Sequence, residues 1–148
     1  MASPKIFTVL LSGLLISGAA LADQADDGAL QQRLVGSWVL PPDAETDALR
    51  IPSRQVFNRD GTTQLYLYTT PECRSPAAAA IEGRWSIENS VLTTQITAVS
   101  DSRLIPVGEV QKVVIVALED DKVVFHADDK LFVREKSETC FPPDAHRT

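Results

Sequence analysis

The connections of this chain constrain its fold more than its strands do. Residues 56–92 hold two tight turns separated by one long gap. Val56-Phe57-Asn58-Arg59-Asp60-Gly61-Thr62 reads as a hairpin, with Gly61 available for the left-handed position that a short loop needs. Ile81-Glu82-Gly83-Arg84-Trp85-Ser86-Ile87 puts Ile81, Gly83, Trp85 and Ile87 on one face of a strand, and Glu88-Asn89-Ser90 turns it back. That alternation is the period of a half-buried strand. Between the two hairpins lies a proline- and alanine-rich gap, in which residues 77–80 read as a helical turn.

The rest of the chain repeats this scheme. Strand patterns are expected at 36–40, 54–58, 62–69, 81–87, 91–99, 109–118, 122–126 and 130–135. A helical turn or two is expected at 28–34, where Leu30 and Leu34 stand four apart. The connections at 41–52, 70–80 and 100–108 are long, while those after the second, fourth and sixth strands are tight. In an up-and-down meander, alternate connections lie at opposite ends of the sheet. The long loops then share one rim and the tight turns the other, as in a closed cup with a mouth and a blunt base. Closure also removes the exposed strand edges. The expected fold class is all-β: an eight-stranded antiparallel up-and-down barrel with a short N-terminal helical turn. A Greek-key sandwich is the alternative, and it gives no reason for the alternation of loop lengths.

Residues 1–22 read as a signal peptide. Lys5 supplies the positive start, residues 6–15 an apolar stretch broken by Ser12 and Gly13, and Ala20-Leu21-Ala22 a small-x-small cleavage site. The apolar stretch is shorter than the roughly 20 residues that span a bilayer. A membrane anchor or a buried N-terminal helix is the alternative. No cysteine follows to carry a lipid. The expected division is 1–22 signal peptide, 23–33 N-terminal segment, 34–140 barrel and 141–148 flexible tail, with a periplasmic or secreted product after cleavage near Ala22. At 44% hydrophobic and 23% charged, the chain has the composition of one globular domain. Removing residues 1–22 takes away one positive charge and makes the balance more negative than the −6 of the full chain. An acidic domain lacks the basic footprint that nucleic acid or anionic lipid requires, so neither nucleic acid nor stable membrane insertion is expected.

Two cysteines, Cys73 and Cys140, read as one disulfide in an exported chain. Such a bridge is worth about 4 kcal/mol in the chain-entropy account. Unpaired thiols or an intermolecular bridge are the alternatives. The pair does not have the C-x-x-C spacing of a redox site.

Several short motifs carry a family resemblance. Leu34-x-Gly36-x-Trp38 opening a first strand resembles the G-x-W start of the lipocalins and the wider calycin barrels. Phe57-Asn58-Arg59-Asp60-Gly61-Thr62, with Gly83-Arg84-Trp85-Ser86-Ile87 and Leu92, is similar to small bacterial lipocalin-like domains. In that group a basic residue of the last strand packs across the opening tryptophan. The resemblance puts Arg134 in that place, so Gly36, Trp38 and Arg134 are expected to plug the base, with the guanidinium over the indole face. It also implies a tail cysteine reaching the region of the fourth strand, which suits Cys140 and Cys73. The T-D-Y-like segment near the sixth turn is missing; Leu118-Glu119-Asp120-Asp121 stands there.

No nucleophile elbow, H-E-x-x-H, phosphate-binding glycine loop or glycosylation sequon is present. His126 with Asp128 and Asp129 reads as a surface turn, and Glu82 with Arg84 as a solvent-facing pair. No catalytic residue, cofactor or metal is expected. Candidate site residues are those of the mouth: Leu49, Arg50, Ile51, Arg103 and Ile105 on the rim. Tyr66, Tyr68 and Trp85 are candidates for the barrel lining. Parity with Leu65 and Leu67 favours an outward direction for the tyrosines, and Trp85 reads first as core. The expected function is an exported binding protein for a small apolar or amphipathic ligand at the mouth. The alternative is a protein-interaction module, such as an inhibitor or immunity-type protein acting on an exported hydrolase. An interior void open to the mouth favours the first, and a filled interior the second.

Overall fold

A computed structural model describes residues 26–41, 51–70, 73 and 76–140. One helix, α1 (Asp27–Leu34), precedes eight strands. These are β1 (Gly36–Val39), β2 (Ser53–Phe57), β3 (Thr62–Leu67), β4 (Ala79–Glu88), β5 (Val91–Val99), β6 (Val110–Leu118), β7 (Lys122–Ala127) and β8 (Lys130–Lys136). Each strand pairs antiparallel with the next, and β8 pairs with β1, so the sheet is a closed barrel. The sandwich alternative is thereby excluded. The signal-peptide and tail expectations lie outside the described residues.

The tight turns follow from their residues. Asn89 and Ser90 have φ of 52° and 62°, and Asp128 and Asp129 have 50° and 62°. Two successive positive φ values make the mirror-image turn whose twist matches the flanking strands. Gly61 takes φ of 90° in the turn between β2 and β3. The long connections all leave the rim opposite the β2–β3, β4–β5 and β6–β7 turns, and the tight β7–β8 turn shares that rim with them. One expectation fails: residues 77–80 form no helical turn. Ala79 and Ala80 begin β4, paired with Leu67 and Tyr66 of β3. Ladder hydrogen bonds outweigh the modest helix preference of alanine here.

Two bulges adjust the wall. One faces the Glu82–Gly83 step of β4, where Thr97 of β5 is the extra residue. The other lies between Ile115 and Ala117 of β6. The extra residue in β6 is Val116, which is exposed, and Leu118 returns to pack against the core. A bulge shifts side-chain parity in this way.

The core is concentrated at the base. Trp38, Phe57, Trp85, Ile87, Leu92 and Val123 are buried there with Leu30 and Leu34 of α1. Phe57 and Trp85 meet edge to face, with centroids 5.2 Å apart, an arrangement that adds to simple burial. Helix α1 closes this end. Its first turn is capped by the Asp26 carboxylate, which accepts from the Gly28 N–H at 3.2 Å. The Asp27 carboxylate accepts the backbone N–H groups of Asn89 and Ser90 at 2.8 and 3.0 Å. The helix is thus pinned to the β4–β5 turn, and its two leucines fill the space below Trp38. An isolated helix of eight residues is marginal in water, so this packing is what holds it.

Cys73 and Cys140 are joined by a disulfide with a Cα–Cα distance of 5.5 Å across a sequence separation of 67. It ties the β3–β4 connection, at the mouth, to the chain leaving β8.

Candidate ligand site

Inward positions follow the strand period. On β2 they are Ser53, Gln55 and Phe57; on β3, Thr63, Leu65 and Leu67; on β5, Leu92, Thr94 and Ile96. Phe57 and Leu92 belong to the base core. The smaller or polar residues above them border open space. A cavity of about 340 Å³ occupies the mouth half of the barrel, between Ile51, Leu65, Leu67, Ile81, Leu104 and Ile105. A second void of about 240 Å³ reaches down to Leu92, Val113 and Phe125. Both are bordered by Leu40, Gln55, Thr94, Gln111, Phe132 and Arg134. They are two lobes of one interior space with those residues at the waist. Ligand sites commonly occupy about 300–1,000 Å³ with mostly apolar walls and a few placed polar groups, and this space meets that description.

Gly83 is one reason the space exists. A Cβ there would come within 2.7 Å of the Gln95 carbonyl oxygen. The β4 backbone therefore runs close to β5 with no side chain projecting inward at that level.

Among the described residues Arg134 is the one cation of the cavity wall. It is half-buried by surface area, because the cavity reaches it, yet the barrel wall encloses it. One guanidinium nitrogen donates to the Ser53 hydroxyl at 3.0 Å, and the other to the Trp38 carbonyl at 3.4 Å. Both acceptors are neutral, and among the described residues Arg134 makes no ion pair. Burial pushes its pKa down to about 10, the direction expected for a cation removed from water without a counter-charge.

The expected plug is rearranged. Trp38 is fully buried and donates its indole N–H to the Leu34 carbonyl at 2.7 Å. The cation over its ring is Lys136, with Nζ 5.5 Å from the centroid, and not Arg134. Lys136 is the direct partner of Trp38 in the β1–β8 register. Arg134 lies two residues earlier on the same strand face, and so reaches across β1 to Ser53 of β2. Gly36 has φ of 137°, with the Lys136 side chain 3.0 Å from where a Cβ would stand. It clears the path of that lysine.

The other expected site residues divide. Ile51 and Ile105 border the cavity, together with Leu104. Arg103 does not. Its guanidinium is held by Asp101 at 2.7 Å and is largely exposed. The Asp101 carboxylate takes up the arginine within the loop itself. Leu49 and Arg50 lie outside the described residues. Tyr66 is on the outer wall, where the Arg54 guanidinium lies 5.0 Å from its ring centroid. Tyr68 is buried but does not border the cavity. Trp85 points inward below the cavity, with its indole N–H on the Asn58 carbonyl at 3.1 Å. The tyrosines and Trp85 are therefore not lining residues. Leu65 and Leu67 take the inward face of β3, as parity favours. Gln55, Thr94, Gln111 and Phe132 were not foreseen. The signal for Gln55 was available, since it stands two residues from Phe57 on the same face. Among the described residues no group of three or more His, Cys, Asp or Glu side chains is placed to hold a metal ion, and no helix is long and apolar enough to cross a membrane.

The sequence matches no protein-family model and no curated protein. Its structure matches two solved ones. A lipocalin-like protein from Bacteroides uniformis superposes with a TM-score of 0.53 at 12% identity, covering 71% of this chain and 99% of that one. An uncharacterized protein from Bacteroides eggerthii gives a TM-score of 0.51 at 12% identity, covering 70% of this chain and 99% of that one. At this identity the likeness concerns the fold alone. With eight antiparallel strands closed on themselves in sequence order, the chain has a lipocalin-like fold.

Proposed function

We propose that this protein is an exported binding protein that takes a small apolar or amphipathic ligand into the barrel through its loop-rich mouth. The observation that carries the reading is the hollow mouth half, about 340 Å³ between mainly apolar walls. Below it Trp38, Phe57, Trp85 and Val123 are buried in one core, so the space is not a sign of loose packing throughout. The lipocalin-like fold is a binding-protein scaffold and supports the same reading. Export rests on the pattern of residues 1–22 and on the Cys73–Cys140 bridge, which persists in oxidising compartments. An inhibitor or immunity-type module would work from its surface and has no use for a void, so the cavity speaks for the ligand. Binding without chemistry is the economical reading of a cavity whose wall, among the described residues, holds one arginine and no histidine or cysteine.

The test uses the neutral fluorophore N-phenyl-1-naphthylamine. Saturable binding at one site is expected, and Leu67→Trp, which fills the mouth half, should weaken it by at least ~10-fold. No saturable binding, or binding indifferent to Leu67→Trp, would overturn the cavity as the site.

A further inference from the structure

We infer that the ligand carries its polar group within the chain and not at its end, with an apolar arm on each side, as in a secondary amide between two short hydrocarbon chains. The inference rests on the binding reading above and names the chemistry of that site.

The interior space changes character along the barrel axis. The mouth lobe is walled by Leu65, Leu67, Ile81, Leu104 and Ile105. The lower lobe ends on Leu92, Val113 and Phe125. Between them stand Gln55, Thr94 and Gln111, which border both lobes. Thr94 and Gln111 are direct partners in the β5–β6 register, and Gln55 comes from β2, on the far side of the closed sheet. Neutral hydrogen-bonding groups therefore face the lumen from two sides at the waist.

The fold does not use these groups. Among the described residues none of the three makes a side-chain hydrogen bond, and no buried side-chain nitrogen or oxygen lacks a partner, so their polar atoms face open space. The other polar side chains of the mouth lobe are engaged or turned away. Thr63 donates its hydroxyl to the Val56 carbonyl at 2.8 Å, and the Ser53 hydroxyl accepts from Arg134 at 3.0 Å. Glu82 is exposed. A carboxamide offers both donors and an acceptor, and so can pair with the N–H and the C=O of an amide.

This order of apolar, polar and apolar wall limits what fits. A plain hydrocarbon passed through the waist strips water from the glutamines and returns no hydrogen bond. A chain with a terminal head at the waist leaves one lobe empty. A chain that fills both lobes with its head elsewhere leaves the waist unpaired. A polar group inside the chain satisfies the waist and fills both lobes at once.

The test is a pair of isomers, N-pentylpentanamide and decanamide, each competing with N-phenyl-1-naphthylamine on the wild-type protein. The first should bind roughly 10-fold more tightly than the second. Val113→Phe, which narrows the lower lobe, should remove that advantage and leave decanamide unchanged. Gln55→Leu combined with Gln111→Leu should also remove it and keep the fluorophore bound. If a variant fails to fold, the wild-type pair still decides. Equal binding of the isomers, or tighter binding of decanamide, would overturn the mid-chain group while leaving the apolar site in place. An advantage that survives Val113→Phe in the folded protein would overturn the lower lobe as the seat of one arm. Failure of the neutral fluorophore to bind at all would instead remove the binding reading itself.

Discussion

The two halves of this barrel are built from the same strands and differ in what those strands carry inward. At the base, β2 contributes Phe57, β4 contributes Trp85 and Ile87, and β5 contributes Leu92. Towards the mouth the same faces carry Gln55 and Ser53, Gly83, and Thr94. The same strands continue, with one register shift at Glu82–Gly83, while side-chain volume drops at these positions. An eight-stranded barrel is just wide enough for side chains to fill, so a few large residues per layer decide between a core and a cavity. The base has a helix as its floor as well. The mouth has in its place a disulfide on one of its loops. The main buried core belongs to one half and the wider interior space to the other.

The comparison can be broken most directly by truncating one residue in each half. Trp85→Ala at the base should cost about 3–5 kcal/mol, since it removes a packed aromatic and leaves a new hole. Leu65→Ala at the mouth should cost about 1–2 kcal/mol, because its neighbourhood is already open and little cavity cost is added. Urea denaturation of both reads the difference, and equal losses would mean that the two halves are packed alike. Next in size is the bridge. Replacing Cys73 and Cys140 together by serine should lower stability by about 4 kcal/mol if the bridge acts by restricting the unfolded chain. The loss should come with the base core intact, visible as retained near-ultraviolet tryptophan dichroism under native conditions.

The smallest effect separates two surface carboxylates. The Thr62 hydroxyl, and then its N–H, hold the Asp60 carboxyl below its ordinary 3.8. The corresponding bonds from Arg103 do the same for Asp101. A carboxyl with a depressed pKa in the folded state binds fewer protons there than in the unfolded chain. Its stabilisation is complete above pH 3.8 and is lost as the pH falls through the lower folded-state value. Asp60 closes a tight turn that sets the β2–β3 register, whereas Asp101 organises an exposed loop at the mouth. Asp60→Asn should therefore flatten the acid limb of the stability curve, and Asp101→Asn should leave it nearly unchanged. Denaturant midpoints at neutral and acidic pH check this. An equal response of the two variants would show that both act as surface charges alone.

Much of the wall was legible because strand period and turn chemistry are local. Gly61, Asn89-Ser90 and Asp128-Asp129 mark turns by their own conformational preferences, and the strands between them fall within a residue or two of expectation. Ala79 and Ala80 were misread because alanine has no strong strand signal, and pairing with β3 decided them. The base tryptophan was legible and its cation was not. Arg134 and Lys136 share one face of β8, so parity cannot choose between them; the β1–β8 register can, and it chose Lys136. Within the site, Ile51 and Ile105 were found by position on the long loops. Arg103 was lost to a neighbour two residues away.

What the sequence by itself determined is the sheet: eight strands, their order, and a mouth distinguished from a base by loop length. These follow from two-residue periodicity and from turn residues that bend the chain in known ways. What only the tertiary structure decided is the inside. Whether Gln55, Thr94 and Arg134 meet a partner or empty space depends on which residues from other strands arrive at their level. That is set by barrel register and side-chain volume, and neither can be read from one strand at a time.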